Sequence, residues 1–192
     1  VPVLVEGPLD ALAVTSASAG RFIGVAPLGT SLTQTQARLL ATLHPSPIVA
    51  TDADTAGRAA AERSYWLLTQ HSVSPRSVAL PDESDPADIL HRRGPDALAA
   101  SINGAHPLAQ GLIDQRLAHA SGATCIKHMV AVIAADAPCR WLTQARDLTE
   151  RTDAPLGQIL ADLTEATTLR NRQPSFAAQQ QLSSVPEHSI AR

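Results

Sequence analysis

Two rhythms of apolar and polar residues alternate along the first hundred positions. Short, largely apolar runs at 3–5, 22–27, 48–51 and 77–80 are bounded by Pro, Gly, Ser or Asp, which predicts four strands. Between them, apolar residues recur at helical spacing over 8–19, 33–43 and 55–70, and two shorter helices are expected at 86–93 and 95–102. Thr33 followed by Gln36 fits a capping box, Pro86 and Pro95 suit first-turn positions, and Gly94 suits a helix end. Continuous apolar strands alternating with helices predict an α/β fold, a mostly parallel four-stranded sheet flanked by helices.

Beyond Gly104 the strand rhythm stops. Leu108, Leu112, Ile113 and Leu117 share one helical face, and Ile126, Val130 and Ile133 another. Trp141, Leu142, Ala145 and Leu148 form a third stripe, and Leu156, Ile159, Leu160 and Leu163 a fourth. This pattern predicts a small helical bundle. From Gln173 the chain turns to Gln, Ser, Pro and Ala without periodicity, as a disordered tail or linker does. The expected organisation is therefore 1–103, 104–172 and 173–192.

Composition changes the picture in three ways. Apolar residues make up 44% of the 192, but aromatics only 3%, so the core must be built from Ala, Leu, Val and Ile. The net charge of −3 argues against a chain that grips nucleic acid by bulk electrostatics. Cys125 and Cys139 form no zinc-type spacing and are expected to be buried free thiols in a reducing cytoplasm. No apolar run is long enough for a bilayer. The chain opens on Val1, directly before its first strand, so further residues are expected upstream.

The chemistry lies in acids placed at strand ends. Glu6 closes the first strand, with Asp10 one helical turn further on. Asp52 and Asp54 follow the third strand, and Asp82, Glu83, Asp85 and Asp88 the fourth. Ligand sites in parallel α/β sheets lie at the C-terminal strand ends, so these carboxylates are expected to share one edge. Each has a plainer reading. Glu6 and Asp10 suit a helix dipole, Asp54 suits a helix cap, and Asp82 and Glu83 read best as caps or solvated loop charges. Convergence of three strand ends favours a divalent cation, because clustered carboxylates repel one another without one. Gly29, Thr30 and Ser31 stand at a strand-to-helix junction where backbone N–H groups receive phosphate, or simply cap. Arg58 is placed to reach a phosphate or an acid, and Arg63 to serve as a partner of a site carboxylate.

Read in order, these segments resemble the TOPRIM domain of DnaG-type bacterial DNA primases. The matching residues are Val5-Glu6-Gly7-x-x-Asp10, Leu28-Gly29-Thr30-Ser31-Leu32-Thr33, Asp52-Ala53-Asp54-Thr55-Ala56-Gly57-x-x-Ala60-Ala61-x-Arg63 and Leu80-Pro81-Asp82-x-x-Asp85-Pro86. The resemblance covers about the first hundred residues, and the later helices loosely resemble the helical subdomain of those primases. It implies a TOPRIM catalytic domain and a metal-dependent nucleotidyltransferase that makes short RNA primers on single-stranded DNA from nucleoside triphosphates. It also implies a cytoplasmic setting and a replicative helicase as a further partner. Glu6, Asp52, Asp54 and Asp85 would hold Mg²⁺, for which Mn²⁺ can substitute, and Asp10 would complete the catalytic acids. Gly29, Thr30, Ser31 and Arg58 would bind phosphate or nucleotide. The family usually has Gly where Ala53 stands, and often a second Asp where Ala87 stands. Its zinc-binding module and basic subdomain lie outside these residues. Two alternatives stay open: a TOPRIM module of a plasmid or phage replication or transfer protein, and a TOPRIM-type metal-dependent nuclease.

Overall fold

A computed structural model describes residues 1–29, 31–52, 54–81, 84–119 and 122–172. The expected tail at 173–192 lies outside them, as do Thr30, Ala53, Asp82 and Glu83. The first half runs β1 (Pro2–Leu4), α1 (Pro8–Ala17), β2 (Ile23–Val25), α2 (Gln34–Leu43), β3 (Ile48–Val49), α3 (Thr55–Thr69) and β4 (Arg76–Ser77). Then come α4 (Pro86–Arg93), α5 (Pro95–Asn103), β5 (His106–Pro107), α6 (Leu108–His119), α7 (Ala123–Ala135), α8 (Pro138–Arg151) and α9 (Leu156–Arg172).

The strands form one sheet in the order β2-β1-β3-β4-β5. Pairings are parallel except β4 with β5, which is antiparallel. The sheet thus has five strands where four were expected. The added edge strand is two residues long and contains Pro107, too short to carry an alternating pattern and lacking one backbone donor. Ladder bonds continue past the short strands: Val5 N–H donates to Val25, Ala50 N–H to Leu4, and Val78 N–H to Val49.

Strand side chains alternate between two covers. Val3, Val5, Ile48, Ala50, Val78 and Leu80 pack in a core with residues of α1, α4 and α5, among them Val14, Ile89 and Leu98. Leu4 and Val49 face the other way, into a core shared with α2, α3 and the later helices, where Tyr65, Leu68, Ile133 and Ile159 are buried. Both covers are needed because a parallel sheet is apolar on both sides.

Helix ends follow the sequence punctuation. Thr33 and Gln36 form a reciprocal capping box on α2, and Pro86 and Pro95 open α4 and α5. Gly94 ends α4 at φ 83°, a left-handed conformation that a side chain would resist. The four later apolar stripes each became one helix, although Leu142 and Leu160 remain exposed. The thiols depart from expectation: both are free, but Cys125 is half-buried and Cys139 is exposed on α8.

Candidate metal and nucleotide site

Strand β1 has β2 on one side and β3 on the other, so the chain's winding reverses between β1 and β3. A crevice opens at the carboxyl ends of strands at such a reversal. Glu6 stands at the end of β1 and Asp52 just past β3, and the backbone N–H of Asp52 donates to Glu6 Oε1 at 3.2 Å. The two acids meet across the reversal point.

Asp10 is held from both sides. Its Oδ2 accepts from Gly7 N–H at 3.2 Å and its Oδ1 from Ala87 N–H at 3.2 Å, which ties the start of α1 to the first turn of α4. It is 8% exposed. Burial pushes its carboxyl above the usual range, the amide bonds favour the charged form, and Asp85 and Glu6 repel it. Asp54 and Asp85 are the N-caps of α3 and α4. Asp54 Oδ1 accepts from Gly57 N–H and Asp85 Oδ1 from Asp88 N–H, both at 2.6 Å. Among the described residues the second oxygen of each has no hydrogen-bond partner. The capping and ligand readings of these two acids are therefore compatible, one oxygen for each. Asp88 instead pairs with Arg92 on the surface of α4, at 3.4 Å.

Asp52 registers the whole cluster. Burial first, then the charges of Glu6, Asp10, Asp85 and Asp54, push its carboxyl up to about 6. Gly57 makes this approach possible: a Cβ there would collide with the backbone carbonyl of Asp52, so only glycine lets α3 begin so close to the strand end. The sequence places Gly57 in a motif, but nothing in its spacing announces that contact.

Two pockets flank the acids. One, of about 170 Å³, lies on the β1–β2 side and is lined by Glu6, Gly29, Ser31, Thr51, Arg63 and Ser64. The other, of about 300 Å³, lies toward β4 and α6, with Asp52, Arg58, Ser77, His106 and Gln115 on its walls. The predicted phosphate binders are thus divided: Gly29 and Ser31 are on one flank and Arg58 on the other, where its guanidinium donates to Thr55 Oγ1 at 3.0 Å. Thr30 lies outside the described residues. Arg63 is exposed and makes no ion pair or hydrogen bond among the described residues, so its expected partnership with a carboxylate does not form. Ser64, His106 and Gln115 carried no signal in the sequence. A larger cavity of about 370 Å³ sits between α3, α7, α8 and α9, away from the acids. Size alone does not locate chemistry here; the repelling carboxylates do.

Among the described residues no group of three or more His, Cys, Asp or Glu side chains could by itself hold a metal ion. That excludes a closed all-protein cage. The donor set is nevertheless all hard oxygen, with spare carboxylate oxygens and mutual repulsion for a cation to relieve. It fits a divalent ion that keeps most of its water, as Mg²⁺ does.

Comparison with known proteins agrees with this geometry. The Toprim-like family matches residues 3–90. A DNA primase of Clostridium acetobutylicum is 30% identical over 131 residues, 68% of this chain and 21% of the relative. The DNA primase of Aquifex aeolicus is 37% identical over 111 residues, 58% of this chain and 22% of the relative. The crystal structure of the zinc-binding and RNA polymerase domains of the Aquifex aeolicus primase superposes with a TM-score of 0.67 at 28% identity, over 83% of this chain and 39% of that one. The chain spans about a fifth of the length of these two sequence relatives.

Proposed function

Because this chain carries a TOPRIM domain of the DnaG-type DNA primases, we propose that it is the acidic catalytic part of an enzyme that joins ribonucleotides into short primers on single-stranded DNA. The observation behind the proposal is the meeting of carboxylates from three strand ends at the reversal point, with Asp52 pushed up to about 6 by its neighbours. Residues 1–103 would form the catalytic domain and 104–172 a helical subdomain.

In the reaction, the primer 3′-hydroxyl bonds to the α-phosphorus of a nucleoside triphosphate. The bond to the bridging oxygen breaks, its electron pair leaves with pyrophosphate, and the hydroxyl proton passes to solvent. No protein nucleophile is needed. Glu6, Asp52, Asp54 and Asp85 would hold Mg²⁺ or Mn²⁺, which supplies neutralisation of the triphosphate and of the departing charge. The Asp52 N–H orients Glu6, and the cap bonds of Asp54 and Asp85 fix those carboxylates on rigid helix starts. Asp10 keeps the β1 and β4 sides of the site in register by bonding both Gly7 and Ala87. Gly29, Thr30, Ser31 and Arg58 would bind the nucleotide from the two flanks.

With −3 net charge, the chain relies on cationic surface from elsewhere to hold template DNA. A replicative helicase would deliver that template, and the setting would be cytoplasmic. Among the described residues no helix is long and apolar enough to cross a membrane.

The test is primer synthesis from ribonucleoside triphosphates on single-stranded DNA by the full-length polypeptide that contains this chain. Glu6→Gln and Asp52→Asn should each lower synthesis by about two orders of magnitude or more while the protein stays folded. Full activity in either variant would overturn the assignment. Mg²⁺-dependent DNA cleavage without synthesis would point to the nuclease alternative.

A further inference from the structure

The two flanks of the acidic row differ in a way that gives the site a direction. The larger pocket, toward β4 and α6, is walled mainly by apolar and backbone groups with His106 and Gln115 at its side. The smaller one, toward β1 and β2, holds three hydroxyls and a guanidinium. Ser64 is 5% exposed, and its hydroxyl has no hydrogen-bond partner among the described residues. The same holds for the hydroxyls of Ser31 and Thr51 on the same walls. A hydroxyl removed from water without a partner costs free energy, and three around one small space call for a ligand rich in oxygen acceptors. Arg63 supplies positive charge at this pocket and is engaged with no other group among the described residues.

Resting on the nucleotidyl-transfer reading above, we propose that this pocket seats the two outer phosphates of the nucleotide, and hence the departing pyrophosphate, with Arg63 as their cationic partner and Ser31, Thr51 and Ser64 as hydroxyl donors. Arg58, on the opposite flank, then faces the nucleoside end. Glu6 is also on the pocket wall and repels a bare anion. The seat therefore forms only when a divalent cation neutralises that carboxylate, which makes pyrophosphate binding cation-dependent.

The experiment titrates inorganic pyrophosphate into the chain with and without Mg²⁺, followed by ³¹P NMR, with Mg²⁺ alone as the control. Binding should need Mg²⁺. Arg63→Ala should weaken it about tenfold or more, as loss of a charge-assisted bond does. Ser64→Ala should weaken it a few-fold, and the surface variant Arg92→Ala should leave it unchanged. Arg63 is exposed and Ser64→Ala removes only one oxygen, so neither result is confused with unfolding. Equal binding by wild type and Arg63→Ala, a larger loss in Arg58→Ala, or no binding by wild type with Mg²⁺ would each overturn the seat. If pyrophosphate binds through Arg63 while the full-length polypeptide makes no primers, the seat stands and the priming reading falls. If primers are made and Arg63→Ala binds pyrophosphate normally, the reverse holds.

Discussion

Helix α3 takes part in two polar regions that handle charge in opposite ways. At its N-terminal end, Asp54 caps the helix beside Asp52 and Glu6, and five carboxylates act on one another with no cation among them strong enough to restore Asp52 to the usual carboxylate range. Further along, α3 meets the later helices through a seam in which polar groups are matched. Tyr65 donates to the Val132 carbonyl at 2.6 Å, Arg116 pairs with Glu62, and Arg170 donates to the carbonyls of Thr69 and Ala134 near the ends of α3 and α7. Asp136, 5% exposed, pairs with Arg140 and accepts from Gln144 Nε2 at 3.0 Å. The seam follows the rule for polar groups in a core, which must be partnered to be tolerated. The acidic rim breaks that rule, and a charge imbalance kept at a strand-end crevice is the physical signature of a ligand site. Stability should therefore depend on the seam, and cation response on the rim.

The largest separation of the two comes from the seam. Ile133→Ala empties a fully buried position on α7 and should lower unfolding free energy by about 3 kcal/mol in a denaturant titration, with Mg²⁺ binding per folded molecule unchanged. Altered cation affinity in that variant would mean the regions are not independent. Gly57→Ala acts where both meet, because the added methyl must push α3 or the Asp52 backbone aside. A loss of about 2 kcal/mol is expected, together with loss of the cation response. Retained Mg²⁺ affinity would show that the close approach does not shape the rim.

The smallest effect is a pH dependence without divalent cation. Asp52 stands at about 6 in the fold against an ordinary 3.8, so the folded state binds the proton more tightly than the unfolded state does. Stability then falls as pH rises from about 4 to about 6, and burial of Asp10 adds in the same direction. The melting temperature should be modestly higher at the acidic end of that window, and Asp52→Asn should flatten the trend. A melting temperature that rises with pH there would contradict the sign.

Much of this division was legible in the sequence, for identifiable reasons. The strands at 3–5 and 48–51 are unbroken apolar runs, and parallel topology forces their ends to one edge, so Glu6 and Asp52 were predictable neighbours. The helix starts at Pro86 and Thr33 and the end at Gly94 depend on local backbone chemistry, which the sequence carries directly. What could not be read depends on contacts between segments. β5 exists only because His106 and Pro107 meet Ser77 and Arg76. The seam depends on Arg170 finding carbonyls of α3, about a hundred residues earlier in the chain. Arg63 was expected beside a carboxylate and instead borders a pocket with no partner among the described residues, while Arg58 was grouped with Gly29 and Ser31 but stands across Asp52 from them. Helical periodicity tells which face a residue shares, not what the face meets.

Titration of Mn²⁺ into the chain, followed by electron paramagnetic resonance, tests the central claim most directly. Wild type should take up the ion, and Glu6→Gln and Asp52→Asn should each weaken uptake at least about tenfold while melting no lower than wild type in the absence of metal. No uptake by wild type, or undiminished uptake by both variants, would contradict the account.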